Sequence, residues 1–235
     1  MKSTVEEIRK RFDNEVDRFS NLSIGQETTI DAQLVMELIV KSAAATNPEA
    51  QRSLDIGCGA GNYTIKLLHN LPDLHVDLID LSQPMLDRAK ERLSPIAQGE
   101  LNTNQGDIRE LALPENHYDI VIAAASLHHL RTEDEWEQVF DKVYHSLKKG
   151  GSFWISDLVE HSIPAIQQLM WRRYGTYLTH LKEDPNFRDK VLTYIEKEDS
   201  PRPLMYQLDL LKRTGFNKID VLHKNSVFAA FGGVK

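Results

Sequence analysis

From Arg52 onward, short strand-like runs alternate with longer stretches of helical period, and this alternation limits the fold more than any other feature of the chain. The runs read SLDIG, HVDLID, ELNTNQGDI, YDIVIAAA and SFWISDL. Strands separated by segments long enough to cross over and return indicate a parallel sheet with helices packed on it. Near the end, KIDVLHK and SVFAAFGG form two further strand-like runs with Asn225 as the turn residue, which predicts an antiparallel pair at one sheet edge. Ahead of the sheet, Val5, Ile8, Phe12, Val16 and Phe19 recur at steps of three and four, the signature of an amphipathic helix. A second helix is expected from about Thr28 to Ala45, ended by Asn47-Pro48. Between Glu160 and Thr214 the texture changes to Trp, Tyr, Arg and Lys on helical stretches broken near Asp184-Pro185 and Ser200-Pro201-Arg202-Pro203. That segment reads as a helical cap inserted before the sheet finishes. The expected regions are therefore N-terminal helices at 1–50, a core at 51–160, a cap at 161–213 and a closing strand pair at 214–235.

At 235 residues, with 41% apolar and 27% charged side chains, the chain suits one larger domain or a domain with a small insertion. Twenty-eight basic against 35 acidic residues leave a net charge of −7, which argues against a sequence-independent grip on nucleic-acid phosphates. MKSTVEEIRKR has charge with no apolar core behind it, and no later run has the length of a bilayer span, so neither export nor membrane insertion is expected. Cys58 is the only cysteine, which excludes intrachain disulfides and thiolate zinc clusters and fits a reducing cytoplasm.

The strongest local signal is LDIGCGAGNYT, where Asp55 precedes Gly57, Gly59 and Gly61 between a strand and a helical pattern. Glycines there let the backbone turn tightly and approach a ligand closely. Asp80 closes the next strand, where a carboxylate can accept hydrogen bonds from both ribose hydroxyls of a nucleoside. A dinucleotide fingerprint needs a further glycine where this chain has Asn62 or Thr64, and no lysine followed by Ser or Thr completes a P-loop. Asp55 would repel a pyrophosphate and attract an ammonium group, so a cationic ligand fits better than an anionic one.

With these residues in order, the chain resembles the class I S-adenosylmethionine-dependent methyltransferases from about Arg52 through Asp157, and more weakly in the final strand pair. The resemblance implies an α/β, Rossmann-like seven-stranded sheet, mostly parallel with an antiparallel C-terminal strand. It also implies S-adenosyl-L-methionine as cofactor and S-adenosyl-L-homocysteine as product. Asp55, Gly57, Cys58, Gly59 and Gly61 match the family's first motif and Asp80 its ribose-binding acid. Asp107 in NQGDIREL matches the acid that meets the adenine amino group, with the Ile108 backbone beside the ring and Leu81 and Met85 flanking it. YDIVIAAASLHHL resembles the fourth motif, whose strand end, at Ala124, faces the methyl group, and LKKGGSFWISD resembles the late helix, turn and fifth strand. Taken singly, Asp80 also reads as a helix N-cap, Met85 as core filler and Cys58 as a small residue with an idle thiol.

His128 and His129 follow the fourth strand, where a base that strips a proton from the acceptor would stand. Neighbouring residues at a strand end point opposite ways, so one of them, His128, is expected to face the methyl group as the catalytic residue. No metal is expected, because adjacent side chains diverge and no acidic cluster with ligand spacing lies nearby in the sequence. QQLMWRRYGTYLTHLK puts Met170, Arg173 or Tyr174, Tyr177 and His180 or Leu181 at helical steps. Substrate contacts are accordingly expected from Arg173, Tyr174 and Tyr177 of the cap, from Phe12 and Phe19 of the first helix, and from His129. Core packing explains the aromatics of this set equally well. KEDPNFRDK and EKEDSPR read as solvated faces without a function.

The first expectation is a methyltransferase acting on oxygen, nitrogen or carbon of a small metabolite in the cytoplasm, with no nucleic-acid or membrane partner and homodimerisation left open. An alternative follows from similarity to the carboxy-S-adenosylmethionine synthase branch associated with tRNA wobble-uridine modification. That branch implies an arginine on the helix before the final strands; LMYQLDLLKR has Leu208, Leu210 and Leu211 there and no arginine before Arg213, which favours the ordinary cofactor. Quinone-ring methyltransferases share the plan and keep an aromatic acceptor open. A catalytically silent nucleoside-binding protein is the remaining alternative.

Overall fold

The computed structural model describes residues 2–21 and 26–235. Three helices come first: α1 (Val5–Asn14), α2 (Val16–Ser20) and α3 (Ala32–Thr46). The alternating region follows as β1 (Arg52–Ile56), α4 (Asn62–Leu68), β2 (His75–Asp80), α5 (Gln83–Leu93), β3 (Leu101–Gln105), β4 (Tyr118–Ala124), a 3-10 turn at Leu127–His129, α6 (Glu133–Ser146) and β5 (Leu147–Leu158). The chain ends in α7 (Pro164–Lys182), α8 (Pro185–Glu198), α9 (Leu204–Thr214), β6 (Lys218–Asn225) and β7 (Phe228–Val234).

The seven strands form one sheet in the order β3-β2-β1-β4-β5-β7-β6. All pairings among β1 to β5 are parallel, while β7 runs antiparallel to both β5 and β6. Strand order reverses between β1 and β4, and in open α/β sheets the crevice at the carboxyl ends beside such a reversal is where ligands bind. Side-chain alternation along the strands builds two cores. Val121 and Ala123 of β4 face Trp136, Phe140 and Val143 of α6, together with Leu210 and Leu211 of α9. Ile120 and Ile122 face the opposite layer, with Ile39 and Val40 of α3, Leu67 of α4 and Leu86 of α5. Each such buried aliphatic or aromatic side chain stabilises the fold by about 1.5–3 kcal/mol relative to exposure.

The N-terminal stripe forms two helices rather than one. At Glu15 the backbone leaves helical geometry (φ −111°, ψ 16°), and its carboxylate is drawn to Arg11 at 3.1 Å and Arg18 at 3.2 Å. The third helix begins at Ala32, later than its apolar pattern suggests, because Asp31 sits in the left-handed region (φ 59°) and residues before it form a turn. Within 161–213, α7 and α8 pair through Tyr174, Leu178 and Ile195 on a small separate core that includes Leu158 and Val227. α9 instead lies on the sheet against α6, so the part that stands apart as a cap is α7 and α8. No described helix is long and apolar enough to cross a membrane.

Candidate functional site

A cavity of about 420 Å³ opens at the carboxyl ends of β1, β2, β4 and β5, roofed by α1, α2, α7 and α8. Its floor is the glycine turn after β1. Gly57 has φ 68°, and a Cβ there would stand 2.5 Å from the Cβ of Ser126, so the turn and the β4 loop can only meet through glycine. Gly59 (φ 51°) has open space where a Cβ would be, on the cavity side. Gly61, also expected in the site, does not line the cavity; it is the N-cap of α4 and packs on Ala89 and Leu93 of α5.

Asp80 ends β2 with its carboxylate fixed by backbone donors: the Gly59 N–H reaches Oδ2 and the Ser82 N–H reaches Oδ1, both at 2.8 Å. Each oxygen keeps a lone pair for a ligand hydroxyl. Burial raises the acid to about 6 despite those donors. Asp55 is buried and accepts from the Thr64 hydroxyl at 2.6 Å; burial, with the charge of Asp80 adding to it, outweighs that bond and raises it to about 7. Two carboxylates held up by dehydration form a floor that a cation would restore to full charge. The Cys58 thiol is pushed well up by burial and the same two acids, so it is an inert lining group. Leu81, Met85, Ile108 and Ala124 also line the cavity. Asp107 lines it too, clasped by the Arg109 guanidinium, which overcomes burial and holds its carboxyl low. Carboxylates at a strand end, an open glycine backbone and apolar walls fit a nucleoside with a cationic tail.

The opposite wall is polar. His128 is anchored twice to Asp157, through the backbone N–H to Oδ2 at 3.0 Å and through ring Nδ1 to Oδ1. Its Nε2 faces Asp199 Oδ1 at 3.7 Å. Burial alone would lower this imidazole, but the charges of Asp157 and Asp199 prevail and raise it to about 9. His129 lies beside it with ring centroids 4.4 Å apart and meets the Phe12 ring edge-on. Burial, together with the charges of His128 and Arg11, drives His129 well below its ordinary value, and the Glu198 carbonyl opposes this without reaching hydrogen-bond geometry. Both rings converge on the cavity because they sit on a 3-10 turn; the expected divergence belongs to extended backbone.

Phe12, Phe19 and Tyr174 line the cavity along with both histidines. Arg173 does not: it is exposed one step round the helix from buried Tyr174. Tyr177 stays outside as well, its hydroxyl donating to the Glu27 carbonyl at 2.7 Å. EKEDSPR is not a solvated face, since Glu198 and Asp199 are buried; Glu198 takes the Arg11 guanidinium at 3.0 Å and Asp199 faces the histidines. Asp157, Asp199 and Arg11 are thus site residues that the sequence reading passed over. The one available signal was that Tyr194, Ile195 and Glu198 recur at helical steps, giving α8 an inward face that continues to Asp199.

The geometry is that of an α/β protein whose strand-end cavity has a glycine floor and a buried acid beside it. Residues 54–151 match the family described as a methyltransferase domain. The chain is 30% identical over 146 residues to magnesium-protoporphyrin O-methyltransferase of Rhodobacter capsulatus, covering 57% of this chain and 63% of that one. It is 23% identical over 207 residues to carboxy-S-adenosyl-L-methionine synthase of Campylobacter lari, covering 86% and 83%. Among solved structures, human N-acetylserotonin methyltransferase in complex with SAM superposes with a TM-score of 0.62 at 16% identity, covering 97% of this chain and 56% of that one. The chain thus spans less than two thirds of the length of the protoporphyrin methyltransferase. The methyltransferase-domain match thus spans the sheet from β1 to the start of β5, and the fold is the Rossmann-like one of these methyltransferases.

Proposed function

We propose that this protein transfers the methyl group of S-adenosylmethionine to a nucleophilic atom of a small molecule enclosed between the glycine floor and the His128–His129 wall. The observation that carries the reading is Asp80: a dehydrated carboxylate at the end of β2, held by two backbone N–H groups and open to the cavity. Its remaining lone pairs suit two ribose hydroxyls. Asp55 and the Gly57–Gly59 backbone suit the ammonium end, and Leu81, Met85 and Ile108 suit the flat faces of a base. When bound, the sulfonium supplies an electrophilic methyl group and leaves as a neutral thioether. The protein's own part is alignment and dehydration: Phe12, Phe19, Tyr174 and Phe228 close an aromatic chamber against water, and His128 and His129 give the acceptor a polar contact at its far wall.

A volume of about 420 Å³ lies in the range of small-molecule pockets rather than a groove for a folded nucleic acid. The likeness to carboxy-S-adenosyl-L-methionine synthase covers more of both chains than the likeness to the O-methyltransferase, yet α9 offers no cation to the cavity. Leu210 and Leu211 are buried in the sheet core, and Arg213 is exposed and paired with Glu137 at 3.0 Å and Asp209 at 2.9 Å. This favours the ordinary cofactor.

Calorimetric titration with S-adenosylhomocysteine tests the pocket, and transfer of a labelled methyl group into a pool of small metabolites, with a tRNA pool in parallel, tests the reaction. Label in the metabolite pool is the expected result. Tight binding with label in neither pool would leave a silent binding protein, and absence of binding would end the proposal.

A further inference from the structure

We propose that His128 Nε2, His129 Nδ1 and Asp199 Oδ1 form a three-ligand site for a divalent transition-metal ion of the zinc or iron(II) kind, on the cavity wall opposite the glycine floor. One ligand atom from each of the three residues lies within 4.8 Å of the other two. Asp199 Oδ1 is 3.5 Å from His129 Nδ1 and 3.7 Å from His128 Nε2. An ion about 2.0–2.2 Å from nitrogen and oxygen ligands needs donors roughly 3–3.5 Å apart, so two of the three edges are nearly in place. The remaining edge, between the two imidazoles, is no longer than 4.8 Å.

Three independent features separate this cluster from an ordinary buried ion pair. Asp199 is 5% exposed, and among the described residues its Oδ1 has no hydrogen-bond partner; neither ring nitrogen of His129 has one either. Buried polar atoms left in that state are costly unless a ligand meets them. His128 is the reverse case, with Nδ1 committed to Asp157 so that Nε2 is the nitrogen presented, the carboxylate–histidine arrangement that orients metal-bound imidazoles. The two segments are also clamped together, since the Ser200 N–H donates to the His128 carbonyl at 2.6 Å, fixing Asp199 against the histidine turn.

Two imidazoles and one carboxylate suit zinc, iron(II), cobalt or nickel rather than magnesium or calcium, which take oxygen donors. All three residues line the cavity, so the open coordination positions face it. Resting on the methyl-transfer reading, the acceptor that fits such a site is an oxygen nucleophile, a hydroxyl or phenol whose ionisation a bound cation favours.

Tag-free, chelator-treated full-length protein titrated with Co²⁺ should take up one equivalent with visible d–d bands that Zn²⁺ abolishes. Asp199→Asn and His129→Gln should each weaken Co²⁺ binding at least tenfold and change the bands. Asp157→Asn should weaken it by about tenfold through the orientation of His128. Thermal melts report whether each variant is folded, and if one is not, the other decides. Absence of d–d bands, or bands indifferent to both ligand substitutions, would overturn the site. S-adenosylhomocysteine is titrated into the same samples: its binding without Co²⁺ uptake removes the ion and leaves the methyltransferase reading, and the converse result does the opposite.

Discussion

At single positions, the two ends of the cavity make different demands on the chain, and substitutions should separate them. Asp80→Ala removes the acceptor of two backbone N–H groups and of the proposed ribose contact. It should weaken S-adenosylhomocysteine binding by about 1–3 kcal/mol, the scale of hydrogen bonds to a buried carboxylate. Calorimetry checks this, and unchanged affinity would take Asp80 out of the site. Gly57 and Gly59 both have positive φ, yet only the first has a neighbour where a Cβ would go. Gly57→Ala should therefore lower stability in urea by about 1–3 kcal/mol from overpacking, beyond its backbone cost of about 1–2 kcal/mol. Gly59→Ala should bear the backbone cost alone and lose cofactor affinity instead, because its methyl enters the cavity; the reverse ranking would contradict the geometry. The glycines were legible in the sequence because one strand–turn–helix passage places them, and Asp80 because it closes the next strand. Tyr174 and Arg173 were not separable, since adjacent residues on a helix differ by a rotation that only the position of the neighbouring elements resolves.

Among the elements, the sheet could be read from its alternation. The joint between the N-terminal helices and the cap could not. Arg11 of α1 meets Glu198 at the end of α8 at 3.0 Å, crosses the Phe12 and Tyr194 rings at 4.1 and 4.2 Å, and keeps Glu15 at 3.1 Å. Such a joint brings together residues far apart in the chain, and no local period encodes it. It also explains why Phe12 stands beside His129. The two partners are not equivalent: losing Glu198 leaves Arg11 with Glu15, whereas losing Arg11 strands a carboxylate whose side chain is only 10% exposed. Arg11→Ala should thus destabilise the protein by about 2–4 kcal/mol and Glu198→Ala by less. The double variant should recover part of the Arg11→Ala loss. Urea unfolding of the four proteins measures the cycle, and additive losses would show that the pair is not coupled.

For the molecule as a whole, the two dehydrated acids tie stability, pH and ligand together. Asp55 and Asp80 stand at about 7 and about 6, raised from 3.8 chiefly by burial. Thr64 and Asp80 face Asp55, with Tyr63 and Cys58 beside it; the Gly59, Leu81 and Ser82 amides and Asp13 of α1 face Asp80. A carboxyl raised on folding binds its proton more tightly in the folded chain. Its contribution is complete below the unfolded value near 4 and is lost as pH rises through about 6 to 7. Asp119 works in the opposite sense: Lys148 and two backbone donors overcome burial and hold it low, so its contribution is lost only in acid. A ligand that brings an ammonium group to Asp55 and hydroxyls to Asp80 favours their charged forms and must expel protons. S-adenosylhomocysteine should therefore bind more tightly at about pH 8 than at about pH 5.5, with measurable proton release near neutrality. At a hundredfold excess over Kd its stabilisation, about 2.7 kcal/mol, should offset the alkaline loss of the ligand-free protein. Calorimetry in two buffers of different ionisation enthalpy reads the released proton directly, and Asp55→Asn should remove most of the slope. Equal heats in both buffers would mean that the floor of the cavity is already charged before the ligand arrives, and that burial at Asp55 does not govern binding.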